Sequence, residues 1–367
     1  MSKKRVVVAM SGGVDSAVAA LLLKNDGFEV IGITMCLNIS VGNRKRPACC
    51  GIEGIEDAKR VAGKLDIPHY VLNFGKVLQE KVIENFCLEY LHGRTPNPCI
   101  RCNRYLKFEA LLKKARQLDA DYLATGHYAR VGFDQKYRRY LLRKGKDKQK
   151  DQSYFLYSLP QKVLPNILMP LGDFTKDKIR EIAQSFHLPV ADKPASQEIC
   201  FIEKDYRDFL RQQLNKMPGK RMHRNMQPGP IKDKEGRILG RHKGVAFYTV
   251  GQREGLGIAL GFPAYVIKID PRNNSLIVGR AEDIFSTSLI AKELNFLGPH
   301  PFAKSIVVKA KIRYNHQEVR SRLIPLDKKK VKVIFARPER AVTPGQAVVF
   351  YKNDIVLGGG IIEKAIA

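Results

Sequence analysis

No apolar run in the sequence approaches the ~20 residues that a membrane-spanning helix needs. The first residues also lack the apolar core and small-residue cleavage site of a signal peptide. We therefore expect a soluble, cytoplasmic protein without a membrane partner. Acidic residues are few, because 36 Asp and Glu stand against 64 Lys and Arg among 367 residues, a formal charge of +28. This excess favours nucleic acid as a polyanionic partner over a membrane surface, because no long amphipathic basic helix is visible.

Cysteine is absent beyond position 200. The seven cysteines are an odd number in a chain with no secretory leader, which argues against a disulfide framework and favours metal or thiol chemistry. Cys87 shares a helical pattern with apolar residues and is predicted to lie in the core. The roles of Cys36 and of the Cys49-Cys50 pair stay open.

The length predicts two or three domains. Apolar strands alternate with helical patterns from residue 5 to residue 125, which predicts a doubly wound parallel α/β sheet. Residues 132–150 predict a hairpin with a mobile basic tip. Beyond a Pro- and Gly-rich junction at 217–230, short β-rich runs predict an antiparallel β-barrel. The expected domains are 1–203, a small central α+β domain at 204–272, and a C-terminal barrel at 273–367.

The segment Ser11-Gly12-Gly13-Val14-Asp15-Ser16 joins the first strand to the first helix. Backbone N–H groups there can cradle an oxyanion, and the two glycines allow close approach. The segment lacks the G-x-x-x-x-G-K-[ST] and G-x-G-x-x-G patterns, so it is neither a Walker A loop nor a dinucleotide fingerprint. Asp15 would repel phosphates unless a divalent cation bridged them, which predicts Mg²⁺. The simpler alternative is that Asp15 and Ser16 cap the helix.

A second motif places Cys99 and Cys102 in a C-x-x-C pattern after a prolyl loop. Cys102 would lie near a helix N-terminus, where the dipole favours the thiolate. Cys200 follows another prolyl turn, and its apolar neighbours taken alone favour a core position. The first half of the chain therefore combines a phosphate loop with candidate reactive thiols.

These residues carry a resemblance. The loop matches the SGG-x-DS signature of the ATP pyrophosphatase (PP-loop) superfamily, whose members cleave ATP between the α and β phosphates and leave AMP on a carbonyl oxygen. Further motifs follow in one order along nearly the whole chain, at 95–102, 125–130, 150–156, 199–201, 248–253 and 343–346. Together they resemble the bacterial tRNA 2-thiouridylases, which replace the C2 oxygen of the wobble uridine (U34) by sulfur in tRNAs for Lys, Glu and Gln.

The resemblance implies a role for each matching residue. ATP would be held by Ala9, Met10, Ser11, Gly12, Gly13, Val14, Asp15, Ser16, Met35 and Gly126. The tRNA would be contacted by Asn97, Pro98, Cys99, His127, Lys150, Asp151, Gln152, Arg313, Tyr314 and Gln346. Catalysis would depend on Asp15, on Cys200 as the persulfide carrier, on Cys102 as the second thiol and on Cys99. The sulfur would come from a persulfide donor protein or from sulfide.

Position 99 departs from the better-known family pattern, in which the matching residue is an aspartate. Cys99, Cys102 and Cys200 give three candidate thiolates, which could hold three irons of a [4Fe–4S] cluster and leave the fourth iron open to sulfur. In the other route, Cys200 carries a persulfide, Cys102 resolves it as a disulfide, and Cys99 is an accessory thiol. Both routes are consistent with the sequence.

Two other functions compete with thiolation. An amide-transferring ATP pyrophosphatase would use ammonia in place of sulfur, but it would need neither the three cysteines nor a basic C-terminal β domain. An RNA-binding protein whose nucleotide loop is only regulatory would bind tRNA without modifying it. The cysteines and the ordered motifs favour the sulfur-transfer interpretation over both.

Overall fold

The computed structural model describes residues 3–37, 52–194, 199–202, 205–216, 224–299 and 304–367. Cys49, Cys50 and positions 217–223 of the expected junction lie outside the described residues. Within these ranges, no helix combines the length and the apolar character that would let it cross a bilayer.

The strands alternate with helices in the first half and follow one another in the second. In chain order they are β1 (Arg5–Ala9), β2 (Glu29–Cys36), β3 (His69–Asn73), β4 (Tyr122–Ala124), β5 (Ala129–Asp134), β6 (Arg139–Lys144), β7 (Ile167–Leu168), β8 (Gly229–Lys232), β9 (Ile238–His242), β10 (Tyr265–Asp270), β11 (Ser275–Gly279), β12 (Phe285–Phe296), β13 (Ile306–Lys311), β14 (Val319–Pro325), β15 (Val331–Arg340), β16 (Ala347–Lys352) and β17 (Ile355–Ile366).

The helices fall almost entirely in the first half. They are α1 (Val14–Asn25), α2 (Ile52–Lys64), α3 (Gly75–Leu78), α4 (Glu84–Leu91), α5 (Pro98–Arg101), α6 (Leu112–Gln117), α7 (Lys176–Ser185) and α8 (Tyr206–Lys216). A π-helical stretch, Gln79–Ile83, joins α3 to α4, and another, Cys102–Leu111, joins α5 to α6. The predicted helices near 77–91 and 105–118 are confirmed.

The first domain contains a parallel sheet with the strand order β3-β2-β1-β4-β7. Val6, Val7 and Val8 of β1 are fully buried, as a strand covered on both faces requires. On one face, Val6 and Val8 pack in a core shared with α1 and α7. On the other face, Val7 packs in a core shared with α4 and the Cys102–Leu111 helix. The predicted doubly wound fold is therefore confirmed.

The central sheet has the order β10-β11-β8-β9. Its β10 and β11 form an antiparallel hairpin, and β11 runs parallel to β8. The expected boundary between residues 272 and 273 falls in the turn of this hairpin. Helix α8 contributes Phe209 and Leu210 to the large core that this sheet shares with the first domain.

The last domain is the predicted antiparallel barrel. Strands β12, β15, β14, β13, β16 and β17 pair in that order, and β17 pairs again with β12 to close the ring. The β5–β6 hairpin of the first half joins this sheet, because Arg143 of β6 pairs with Ile355 of β17. The hairpin was predicted, but its attachment to the barrel was not. Arg143 also forms ion pairs with Asp134 and Asp354, at 2.5 and 2.9 Å.

Candidate active site at the edge of the first sheet

The glycine loop lies between the carboxyl end of β1 and the start of helix α1. Gly13 is the N-cap residue, in an extended conformation, and no side chain caps the helix. The Ser16 hydroxyl instead donates to the Gly13 carbonyl (2.9 Å) and accepts from the Ser11 N–H (3.1 Å). The helix-capping alternative for Asp15 and Ser16 is therefore wrong, and the N-terminal N–H groups of α1 are left for an anionic ligand.

Close backbone approach explains the glycines at this edge. Gly12 has φ +75°, and a Cβ built there would lie 2.3 Å from the carbonyl oxygen of Gly54 in α2. Gly126, just after β4, packs against the start of α1, since a Cβ there would lie 2.8 Å from the carbonyl carbon of Asp15. At Gly13 the nearest atom to such a Cβ is the Ser11 hydroxyl, at 3.5 Å. Gly12 and Gly126 are thus required for packing, whereas a side chain at Gly13 would have room.

Asp15 is neutralised by a lysine that sequence analysis missed. Its Oδ1 accepts hydrogen bonds from Lys176 Nζ (2.6 Å) and from the Tyr128 hydroxyl (2.7 Å). The Lys176 side chain is only 8% exposed. Burial, together with the Asp15 charge, raises the pKa of Tyr128 and keeps it a phenol donor. Mg²⁺ is therefore not needed to explain a carboxylate in this loop, because Lys176 already balances it.

The remaining predicted nucleotide contacts lie at the ends of neighbouring strands. Ala9 and Met35 are half-buried at the ends of β1 and β2, whereas Met10 is buried. The Thr34 hydroxyl donates to the Met10 carbonyl at 2.8 Å and fixes the start of the loop. Because ligands of open α/β sheets bind beyond the carboxyl ends of the strands, this edge is where a nucleotide would be expected.

His127 follows β4 and is nearly enclosed. Its Nδ1 lies 2.7 Å from the Thr125 hydroxyl and its Nε2 lies 3.4 Å from Lys107 Nζ. Burial, and secondarily the Lys107 charge, lower the pKa of His127 well below its usual range. His127 is thus a neutral imidazole held in one orientation.

Cys99 and Cys102 lie one helical turn apart where α5 continues into the π-helical Cys102–Leu111. Asn97 caps this helix, its side chain accepting from the Ile100 N–H at 3.3 Å, and Pro98 is the first helical residue. Burial, with a smaller contribution from Cys200, raises the pKa of Cys99 to about 11. The raised pKa favours the protonated thiol of Cys99 at neutral pH.

Cys200 is exposed, and its neighbour fixes its position. Phe201 is 1% exposed and packs edge-on against Phe86, with ring centroids 5.5 Å apart. The core position that the flanking residues favoured for Cys200 is wrong, because Phe201 fills that space and turns Cys200 outward. Cys200 is nevertheless close enough to influence the pKa of Cys99.

The cysteines do not fit the cluster alternative in this arrangement. Within the described ranges, which include all three of these thiols, no group of three His, Cys, Asp or Glu side chains is gathered so that it could hold a metal ion. Cys99 is also a poor ligand while its pKa is raised, since thiolates bind iron. We derive no step through a [4Fe–4S] cluster.

Two of the three residues at 150–152 that were expected to contact tRNA form hydrogen bonds within the protein. Asp151 is buried and accepts from the N–H groups of Gly145 (2.9 Å) and Ser153 (3.1 Å). Gln152 accepts from the Tyr128 N–H at 3.0 Å, which ties this segment to the loop after β4. Lys150 is exposed. Asp151 and Gln152 thus hold the segment in place, and Lys150 presents a free cationic surface to solvent.

The C-terminal residues of the prediction meet the active-site loop from the barrel side. The Gln346 side chain donates to the Thr95 carbonyl at 3.2 Å, and Thr95 N–H donates to Pro344 at 2.8 Å. Tyr314 packs on Phe155, with ring centroids 4.5 Å apart. The Arg313 side chain is half-buried nearby. The barrel therefore supports the loop that leads into residues 97–99.

Sequence analysis missed Lys176, Tyr128 and Lys107. Lys176 opens helix α7, where a cation is disfavoured by the helix dipole, and that anomaly was a usable signal. Tyr128 lay within the 125–130 motif, but nothing in the sequence pointed to Asp15 as its partner. Lys107 lies in the π-helical stretch after Cys102, and its contact with His127, twenty positions away, is not visible in the residue spacing.

Three family models match the chain in succession. They are described as a tRNA methyl transferase HUP domain at residues 4–204, a tRNA methyl transferase PRC-barrel domain at 207–280, and an aminomethyltransferase beta-barrel domain at 286–362. Among solved structures, a 4-thiouridine synthetase–RNA complex with bound ATP matches with 19% identity and a TM-score of 0.35, over 58% of this chain and 50% of that one. The U34-tRNA thiolase NcsA from Methanococcus maripaludis, with its [4Fe-4S] cluster, matches with 18% identity and a TM-score of 0.34, over 58% and 65%.

The sequence relatives are much closer. The tRNA-specific 2-thiouridylase MnmA of Carboxydothermus hydrogenoformans is 50% identical over 370 residues, covering 100% of this chain and 99% of the relative. The enzyme of the same name from Pelotomaculum thermopropionicum is 50% identical over 368 residues, covering 99% and 98%. At this identity over the full length, and with all three domain models in order, the chain belongs to the tRNA-specific 2-thiouridylase family.

Proposed function

We propose that the protein is an ATP-dependent tRNA sulfurtransferase that converts the C2 carbonyl of the wobble uridine, U34, into a thiocarbonyl. The observations that carry the proposal are a glycine loop between β1 and α1 and an exposed Cys200 that lies close to Cys99. The full-length relatives named as tRNA 2-thiouridylases support it further. The excess of basic residues suits a tRNA substrate, in the cytoplasm where ATP and tRNA are both available.

The first step would be adenylation. A carbonyl oxygen leaves poorly, so the uridine O2 attacks the α phosphorus of ATP, the bond to the β phosphate breaks, and pyrophosphate departs. The N–H groups at the start of α1 would stabilise the phosphate oxygens, and Lys176 would balance the negative charge that develops beside Asp15. Mg²⁺ would be held mainly by phosphate oxygens, with Asp15 as the nearby carboxylate, and would neutralise the pyrophosphate.

The second step would be sulfur substitution. The terminal sulfur of a Cys200 persulfide attacks C2 of the uridine, and AMP leaves with the former carbonyl oxygen. The Cys102 thiolate then attacks the Cys200 sulfur, which releases 2-thiouridine and leaves a disulfide between the two cysteines. The two electrons that reduce the transferred sulfur come from these two thiols, and a dithiol reductant must restore them. The exposed position of Cys200 suits transfer of a sulfane sulfur from the persulfide of a donor protein, whose own thiol is then released. Sulfide would instead attack the Cys102–Cys200 disulfide at Cys200, which forms the Cys200 persulfide and releases the Cys102 thiolate.

The target base would enter beside Asn97, Pro98 and Cys99, with His127 near the RNA. A base must leave its stack to reach such a pocket, so the anticodon loop suits this chemistry better than a duplex. By family resemblance, the acceptors would be the tRNAs for Lys, Glu and Gln. Lys150, Arg313, Tyr314 and Gln346 would provide further contacts.

The test follows thiolation and pyrophosphate release in parallel, on unmodified tRNA with a persulfide donor. We expect Cys200→Ala to abolish 2-thiouridine formation while pyrophosphate release continues. Cys87→Ala is the control, because burial raises the pKa of that core thiol to about 12 and should keep it inert. Normal thiolation by Cys200→Ala, or no ATP-dependent thiolation by the wild-type protein, would contradict the proposal.

A further inference from the structure

A cavity of about 540 Å³ opens between the central domain and the barrel. One wall is the start of α8 with Arg207, and another is the loop that carries Thr249 and Glu254. The barrel contributes Arg313 and Arg340. Three arginines and the carboxylate of Glu254 therefore line one cavity. Arg207 also pairs with Asp205 at 3.4 Å, and the Arg340 guanidinium lies 5.4 Å from the centre of the Tyr265 ring.

Arg313 is held in place by a strained turn. Its Nη1 donates to the carbonyls of Arg340 (3.2 Å) and Ala341 (3.4 Å). Ala341 has φ +53°, a left-handed conformation that is strained for a non-glycine residue. Gly251, on the facing loop, packs so closely that a Cβ there would lie 2.6 Å from the Ala341 Cβ. The backbone is thus bent so that two carbonyls fix one guanidinium at the cavity wall.

The positive charges at this wall repel one another. Burial and then the charge of Arg340 lower the pKa of Arg313, with Glu339 opposing at longer range. Glu339 is itself bonded to His316 at 2.9 Å. In the described part of the chain, neither Arg313 nor Arg340 makes an ion pair with a carboxylate. An anion entering the cavity would relieve this repulsion.

The cavity adjoins the active-site loop. The Thr95 hydroxyl donates to the Thr249 hydroxyl at 3.1 Å, and Thr95 lies two positions before Asn97. An RNA strand that places a base at residues 97–99 must carry its backbone past Thr249. The nearest cationic surface on that path is the cavity wall, and RNA presents one phosphate for each nucleotide.

We propose that Arg207, Arg313 and Arg340 bind an RNA backbone phosphate in this cavity, beside the target nucleotide. This inference rests on the proposed function and deepens it, because it assigns Arg207 and Arg340 to the tRNA and gives the cavity a ligand class. The contact is made to the backbone, so it positions the tRNA and does not read its sequence.

The test is the affinity for a tRNA transcript without ATP, measured by fluorescence anisotropy over a series of salt concentrations. We expect Arg340→Gln to weaken binding about three- to tenfold and to lower the slope of log K against log salt by about one. Arg340→Lys should keep most of that slope. Arg322→Gln is the matched control, since Arg322 is exposed on β14 of the same barrel, where it pairs with Ile334 rather than near Arg340.

A gain of affinity separates the site from damage to the fold. Glu254→Gln removes the opposing carboxylate and should tighten tRNA binding about two- to fivefold, which a misfolded variant would not do. Unchanged binding by both Arg340→Gln and Glu254→Gln would overturn the proposal. Equal losses from Arg340→Gln and Arg322→Gln would overturn it as well, because they would reflect net charge alone.

Inorganic pyrophosphate tests the other source of phosphate. If Arg340→Gln loses pyrophosphate binding but keeps its affinity for tRNA, the RNA assignment is overturned. The binding assay needs no turnover, so failure of the proposed function appears separately. If the wild-type protein thiolates tRNA but Arg340→Gln binds tRNA with unchanged affinity, only the assignment of the cavity is wrong. If the protein does not thiolate tRNA but the variants show the expected salt slopes, the assignment of the cavity stands.

Discussion

Gly12 and Cys200, two residues of the proposed active site, differ in how the chain surrounds them. Gly12 is buried, and the backbone of Gly54 leaves no room for a side chain there. Cys200 is exposed, and the packing of Phe201 positions it. The nucleotide end is fixed by backbone contact, and the sulfur end is fixed by one buried neighbour. A loop that keeps a substrate immobile benefits from being enclosed by the protein. A thiol that must receive sulfur and then deliver it needs to be accessible to the sulfur donor.

Helix α2 connects these two ends. Gly54, in its first turn, touches the glycine loop, and Asp57, in its second, is buried and bonded to Lys193 and Arg60. Lys193 lies in the segment that leads to Cys200 and also pairs with Glu53 at 3.4 Å. The pKa of Asp57 stays lowered because these two cations outweigh its burial. Helix α2 thus contacts the glycine loop and also holds Lys193, which precedes Cys200 in the sequence.

The largest effect should come from a substitution in the enclosed glycine loop. Gly12→Ala places a Cβ against the Gly54 carbonyl at a position with left-handed backbone. The distorted loop should lower the free energy of unfolding by about 2–4 kcal/mol and weaken ATP binding about a hundredfold. The measurements are ATP affinity by calorimetry and the thermal midpoint. Gly13→Ala is the matched variant: its Cβ has room in the protein, so it should lower ATP affinity and leave the thermal midpoint unchanged. Equal midpoints for both variants would contradict the packing role of Gly12.

A smaller effect should follow from uncoupling the two ends at Asp57. Asp57→Asn weakens the hold on Lys193, so the Cys200 segment should be misplaced and sulfur transfer slowed about tenfold to a hundredfold. Adenylation should change less than sulfur transfer, since the Gly54 contact remains. Single-turnover measurements of pyrophosphate release and thiolation separate the two rates. An equal loss in both rates would show that α2 supports the fold generally and does not position the thiol in particular.

Substitution of Cys99 should have a smaller effect on thiolation. Because its pKa is raised to about 11, Cys99 is not a thiolate near neutral pH. We expect Cys99→Ala and Cys99→Asp to keep thiolation within about threefold of the wild-type rate between pH 7 and pH 9. Iron content should be the same in the variants and the wild type after anaerobic purification. Loss of activity together with loss of bound iron in Cys99→Ala would revive the cluster route.

The smallest effect concerns His127, between the two ends. Its pKa in the folded protein lies below that of the unfolded chain, so its contribution to stability is complete above about pH 6.5 and declines as the pH falls. Below that pH the unfolded chain binds a proton at this histidine and the folded protein does not. The free energy of unfolding therefore falls by at most about 1.4 kcal/mol per pH unit. Urea midpoints at pH 7.5 and 5.5 should differ less in His127→Gln than in the wild type. An identical pH dependence would exclude His127 as a buried neutral group.

Sequence reasoning reached the parallel sheet, the barrel and the position of the glycine loop, since periodicity and turn residues are local signals. Lys176 and Tyr128 were missed because their contact with Asp15 joins residues more than a hundred positions apart. The raised pKa of Cys99 could not be predicted, since it depends on how α5 packs against other elements. The outward turn of Cys200 likewise depends on Phe201 competing for the same core space.

The β5–β6 hairpin has a consequence for biosynthesis. It is made early, yet its partner strand β17 is made last, because Arg143 pairs with Ile355. While the chain is being synthesised, one edge of the hairpin stays uncovered until the C-terminus emerges, and such edges invite misassembly. Arginines and lysines along the hairpin reduce that hazard. A chain truncated before residue 355 should therefore aggregate even though the whole nucleotide-binding sheet has already been made.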